Sequence, residues 1–147
     1  MSRTLALAVI VLALMSAGAS ASQTRPRAGD AALGAELEGL LPGPRIAYLR
    51  HLIQAGRADA EVYFQLGVAF QEDGKPDSAI YHYARAAALD TSLSKAYVNW
   101  GVALDEQGKS AEALGLFRRA VGANPNDLLA HAHAAYILFE ERSYEPA

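Results

Sequence analysis

The sequence predicts an all-α fold of antiparallel helix pairs stacked one on the next. Three observations carry that expectation. Residues 60–93 laid over 94–127 match at ten of 34 positions without a gap, and a period between about 20 and 50 residues means stacked supersecondary units. Within each period apolar residues recur every three or four positions, the spacing of a helix face rather than of a strand. A Gly-Lys pair, Gly74-Lys75 and then Gly108-Lys109, falls at the same place in both periods and divides each into two helices.

Residues 1–21 are expected to be an export signal. Arg3 opens the chain with positive charge, Leu5 to Met15 is an uninterrupted run of eleven apolar residues, and Ala19-Ser20-Ala21 fits the A-x-A cleavage pattern. A membrane-spanning helix needs about 20 apolar residues, and this run softens into Ser16, Gly18 and Ser20. The expectation is a cleaved signal, no stable membrane span afterwards, and a protein that is periplasmic in a Gram-negative source and secreted otherwise. The chain has no cysteine. That excludes a disulfide, a thiolate metal site, a cysteine nucleophile and a lipid anchor on cysteine.

Residues 22–30 (SQTRPRAGD) lack apolar periodicity and read as a flexible leader. Residues 31–57 read as a helical hairpin. Leu33, Leu37, Leu40 and Leu41 make the first stripe, Pro42-Gly43-Pro44 is expected to stop it, and Ile46, Leu49, Leu52 and Ile53 make the second, closed by Gly56. Leu49 and Leu52 lie 34 residues before Tyr83 and Ala86, so the hairpin is a candidate degenerate repeat.

From 58 to 147 the repeats follow: 60–93, 94–127 and a partial third at 128–147. In the first, Tyr63, Leu66 and Phe70 stripe one helix. Gly74-Lys75-Pro76-Asp77 turns the chain, and Ala79, Tyr83, Ala86 and Leu89 stripe the next. The second repeats this with Tyr97, Trp100 and Leu104, then Ala113, Phe117 and Ala120. Gly67, Ala79 and Ala86 stand where helix axes must approach closely, and a Cβ at Gly67 is expected to push the pair apart. In the third, His131, Ala134, Ala135 and Leu138 take the stripe, with Tyr144 and Ala147 near the start of a second helix.

These positions resemble the tetratricopeptide repeat (TPR): an aromatic, Leu-Gly, a second aromatic, then Ala, aromatic, Ala and Pro over 34 residues. The first repeat supplies Tyr63, Leu66, Gly67, Phe70, Ala79, Tyr83 and Ala86, with Thr91 in the place of Pro. The second supplies Tyr97, Gly101, Ala113, Phe117, Ala120 and Pro125, with Trp100 for Leu and Leu104 for the second aromatic. The resemblance implies a right-handed superhelical solenoid of about two and a half repeats behind the hairpin.

The chemistry that the sequence holds is sparse. Thirteen basic and 16 acidic residues leave a net charge of -3, without the basic footprint of a nucleic-acid binder. No nucleophile elbow, phosphate loop or zinc-binding His pair occurs, so neither an enzyme nor a cofactor or metal site is expected. His131 and His133 are two apart on a helix and diverge by about 200°. The expectation is that His131 packs in the stripe, that His133 faces the groove or solvent, and that His51 and His82 lie on helix surfaces. The pairs Glu72-Asp73 and Asp105-Glu106 read as solvated helix ends.

In proteins similar to this one the first helices line a concave groove that takes a peptide. Carried over by position, that groove would present Glu61, Phe64, Val68 and Gln71, then Lys95, Val98, Asn99, Val102 and Asp105, then Ala132, His133 and Tyr136. Phe64, Val68, Val98, Val102 and Tyr136 form an apolar floor, Lys95 and Asn99 offer donors, and Glu61 and Asp105 acidify the rim. Of the family's clamp for a terminal carboxylate only Asn99 is present, since Phe64 and Val68 replace the Lys and Asn. The expectation is a scaffold or adaptor that buries an apolar peptide or helix of a protein partner. The segment Leu128–Glu141 is apolar around much of its circumference, which predicts either a cover for it, a partner or a second copy, or a chain cut short of its natural end. The second reading is self-association into a homo-oligomer through that helix.

Overall fold

The computed structural model describes residues 31–143, and the expected export signal, the expected leader, Tyr144 and Ala147 lie outside them. Among the described residues there are seven helices and no strand: α1 (Ala31–Leu37), α2 (Pro42–Gln54), α3 (Ala60–Glu72), α4 (Pro76–Leu89), α5 (Ser94–Glu106), α6 (Ser110–Ala123) and α7 (Leu128–Ser143). None of them is long and apolar enough to cross a membrane. The start of α5 trails that of α3, and the start of α6 that of α4, by the 34 residues of the sequence period. Each helix packs on its neighbour in the chain from α2 onward. One continuous apolar core runs from Leu33 to Ile137. This is a solenoid of stacked antiparallel helix pairs, as the repeat predicts.

Local chemistry sets the boundaries. The Asp59 side chain accepts from Val62 N at 3.0 Å and opens α3. Gly74 and Gly108 adopt φ of +71° and +77°, where a Cβ would be strained. The next amide then folds back, Lys75 N to Phe70 O at 2.9 Å and Lys109 N to Leu104 O at 3.0 Å. That six-residue closure satisfies the last carbonyls of each first helix. Pro76 starts α4 where its missing N–H costs nothing.

The helices of each repeat meet at a glycine. A Cβ on Gly67 would lie 2.5 Å from Cδ1 of Tyr83, and one on Gly101 would lie 2.7 Å from Cε1 of Phe117. Both rings are fully buried, so neither can swing aside. The close approach expected of Gly67 is therefore present in both repeats.

Several side chains sit elsewhere than the stripes predict. The first helix ends at Leu37 because Gly39 turns left-handed at φ +77°, so Leu41 is exposed and Pro42 opens α2 instead of stopping α1. Leu89, three residues beyond Ala86, has rotated off the face that holds Tyr83 and is exposed. In α7 the buried residues are Ala130 and Ile137, the face that meets the preceding repeat. His131 and Leu138 are exposed because no helix among the described residues covers their side. His131 rests its Nε2 2.9 Å from the Pro125 carbonyl rather than packing in the stripe.

Candidate functional site

Residues 61, 64, 68 and 71 share one face of α3 by helical spacing, and 95, 98, 102 and 105 share the same face of α5. The structure joins these faces directly. Glu61 Oε2 and Lys95 Nζ, equivalent positions of consecutive repeats, are 2.6 Å apart. The same ammonium stands 4.5 Å from the centroid of the Phe64 ring. Glu61 accepts a second bond, from Gln65 Nε2 at 2.9 Å. Phe64 is only 8% exposed, so it is a wall of the core with its ring beneath the Lys95 ammonium. Its ring tilts against Tyr83 at 5.8 Å.

Tyr83 is the buried post on which this face is built. Its hydroxyl donates to Gln71 Oε1 at 2.7 Å. Burial pushes the phenol up to about 12, against a hydrogen bond with Asn99 and with added repulsion from Glu72 and Glu106. Two residues expected to reach out of the groove, Gln71 and Asn99, are thus engaged by a side chain from α4. One repeat later the post is Phe117, which has no hydroxyl. There Asp105, at the position of Gln71, accepts instead from Ser110 Oγ at 2.6 Å. His133, at the position of Asn99, lies flat on the Phe117 ring at 5.0 Å and 13°. The same inter-repeat contact is made once by hydrogen bonding and once by stacking.

The remaining groove positions are more open. Val68 and Val102 are half-buried, Val98 is buried, and Ala132 and Tyr136 are exposed. The Tyr136 hydroxyl donates to Glu140 Oε1 at 2.6 Å. The paired carboxylates at the far ends are tied down within the chain, Glu72 to Arg45 at 2.8 Å and Asp73 to Lys75 at 2.7 Å. Among the described residues no three His, Asp or Glu side chains converge as a metal ion requires.

On the other side of the same helix pair lies a cluster that sequence reasoning missed. His82 is stacked between Phe70 (5.1 Å, 3°) and Tyr63 (6.0 Å, 22°). Arg50 and Arg85 cap the outer ring faces, each 5.4 Å from a centroid. Burial, with Arg50 and Arg85 adding repulsion, lowers the His82 pKa to about 4. The residues were visible as motif aromatics, but nothing in their spacing says that a histidine between them is sandwiched.

Comparison with known proteins follows the same lines. A family model described as tetratricopeptide repeat matches residues 95–127. No curated protein matches the chain in sequence. Among solved structures the chain is similar to the type III secretion translocator chaperone SycD of Yersinia enterocolitica, at 18% identity over 88% of this chain and 93% of that one, TM-score 0.69. It is similar to the second TPR domain of human RPAP3, solved with the HSP70 peptide SGPTIEEVD, at 26% identity over 76% and 92%, TM-score 0.62. It is also similar to MamA, at 24% identity and TM-score 0.65, where it spans 69% of its own length and 60% of that chain's.

Proposed function

The chain is a tetratricopeptide-repeat protein, and on that premise we propose that it is a non-catalytic interaction module whose first-helix face captures an apolar segment of a protein partner. One observation carries the reading. The polar side chains of that face already have partners within the chain: Glu61 with Lys95, Gln71 and Asn99 with Tyr83, Asp105 with Ser110. They ask for nothing from a ligand, and displacing them would cost the bonds they make. What stays open to a newcomer is Val68, Val102 and Ala132, which reward apolar surface alone. Two of the similar proteins, SycD with a peptide of the translocator YopD and RPAP3 with an HSP70 peptide, were solved with a short peptide bound, which supports a peptide as the occupant. Lys95 and Asn99, engaged as they are, orient the partner less than its apolar anchors do.

Panning a displayed library of random peptides on the full chain tests this. Enriched peptides should carry two or more aliphatic or aromatic anchors and bind without a free C-terminal carboxylate. Val102→Asp should cost at least tenfold in affinity, while Lys109→Ala, outside this face, leaves it unchanged. Peptides that bind Val102→Asp equally well, or that require a terminal carboxylate, overturn the proposal.

The setting we propose is an exported compartment, supported by Arg3, the run Leu5 to Met15 and Ala19-Ser20-Ala21. Cell fractionation with mass spectrometry of the N-terminus tests it. A soluble exported protein beginning at Ser22 is expected, and an uncleaved chain inside the cell overturns it.

A further inference from the structure

The second helices α2, α4 and α6 carry a row of cations on their outward side. His51, Arg85 and Arg119 occupy the same repeat position, with Arg50 and Arg118 one residue before two of them, and all five are exposed. Helix α2 has no carboxylate, and α4 and α6 have one each, Asp77 and Glu112, both in the first turn. Arg85 and Arg119 stand before the last turn of their helices, so completing the helix dipole is not their purpose. Among the described residues the ion pairs use Arg45, Lys75 and Lys95, and none uses this row. Arg85 lies against the Tyr63 ring, which holds the guanidinium plane and leaves its N–H fork for an acceptor. One turn to either side of it, Tyr81 and Leu89 are 59% and 51% exposed. Arginine among exposed aromatic and aliphatic side chains is the make-up of an interface centre.

The complementary surface is on α7. Leu128, Leu138 and Phe139 are 82%, 46% and 72% exposed, and Glu140 and Glu141 follow directly at the C-terminal end of the helix, where the dipole disfavours negative charge. Helix α7 thus offers apolar side chains with adjoining carboxylates, and the outward side of α4 and α6 offers apolar side chains among arginines. We infer that a second copy of this chain docks its α7 on the row formed by Tyr81, Arg85, Leu89 and Arg119, in a head-to-tail contact. The contact joins two different surfaces, so each copy still presents one of each and assembly continues past the dimer unless a ring closes. The charges make it sensitive to salt, and it leaves the floor at Val68 and Val102 open, while Ala132 and Tyr136, on α7 itself, lie beside the docking side chains.

The test is light scattering after size exclusion on the full chain, at low and high salt. A mass above one chain that grows with concentration and falls with salt is expected. Arg85→Glu with Arg119→Glu should reduce it to the monomer, and so should Glu140→Arg with Glu141→Arg, with circular dichroism unchanged in both. Mixing the two reversed variants should restore assembly, because each then supplies the surface the other can accept. Misfolded variants would show no such rescue. A chain that is monomeric at every concentration overturns the inference, as does an oligomer that survives Arg85→Glu with Arg119→Glu, which would mean α7 pairs with itself. Mixed variants that stay monomeric overturn it too.

Discussion

Glu61 and Lys95 stand at one position of consecutive repeats, 2.6 Å apart, and the ammonium of the pair lies over the Phe64 ring. The pair joins repeats that differ by a single charge reversal at that position, and it shields an aromatic ring from the face where a partner would bind. Both side chains keep some solvent, so its contribution to stability is small, below about 1 kcal/mol. Removing the ammonium without touching Phe64 should therefore change recognition more than folding. Lys95→Ala is expected to move the urea midpoint little and to tighten binding of apolar peptides by about threefold, as the Phe64 ring loses its cover. Titration of a peptide selected on the wild-type chain checks this.

Glycine to alanine should have opposite signs at two kinds of position. Gly67→Ala and Gly101→Ala place a methyl against the buried rings of Tyr83 and Phe117. Each should destabilise by about 1–3 kcal/mol. Gly115 and Gly122 lie in α6 with nothing within 4 Å of an added Cβ, so alanine there gains only helix propensity, about 0.5–1 kcal/mol. Urea denaturation followed by the fluorescence of the single Trp, Trp100, measures all four.

His82 sets a pH dependence whose sign can be worked out. Its folded pKa is about 4 against 6.5 for a free ring, so between those values the unfolded chain binds the extra proton. Stability is expected to fall as pH drops from 6.5 towards 4, by about 1 kcal/mol once partial exposure is allowed for. The groups facing the ring are Tyr63, Phe70, Tyr81, Arg50 and Arg85, and its Nδ1 is buried without an acceptor. His82→Phe keeps the stack and should flatten the thermal melting profile over that interval. The lowered carboxyls of Asp90 and Asp127 act in a different window, below the ordinary carboxyl value of 3.8.

Asp127 caps α7, accepting from Leu129 N and Ala130 N at 3.1 Å each. Burial raises its carboxyl, but the Ala130 amide, Ser94 and the Leu129 amide outweigh it and hold the group below the usual range. Asp127→Ala should cost about 1 kcal/mol and speed amide exchange in the first turn of α7, whereas Asp127→Asn should keep most of the cap.

The helices, their 34-residue offset and the glycine contacts were legible in the sequence because each follows from local rules. Periodicity marks a buried stripe, a Gly-Lys pair marks a turn, and a small residue facing an aromatic marks close approach. The proposed binding face was legible only as a set of positions, since helical spacing decides which residues share a face. What each polar residue there bonds to was not legible. Gln71 and Asn99 turn to Tyr83 because that ring, fixed from α4, brings a hydroxyl between two first helices. Asp105 turns to Ser110 because Phe117 offers none. The stripe of α7 failed for a related reason: a motif position is buried only where a neighbour covers it.

By itself, then, the sequence determined the element order, the repeat and the side of each helix, all properties of a chain within a few residues of itself. Only the tertiary structure decided which charges cancel, which aromatics stack and which apolar side remains open. Those outcomes depend on distances between residues some 12 to 35 positions apart, such as Phe70 with His82, Arg45 with Glu72 and Glu61 with Lys95, and helical packing alone brings such groups within reach.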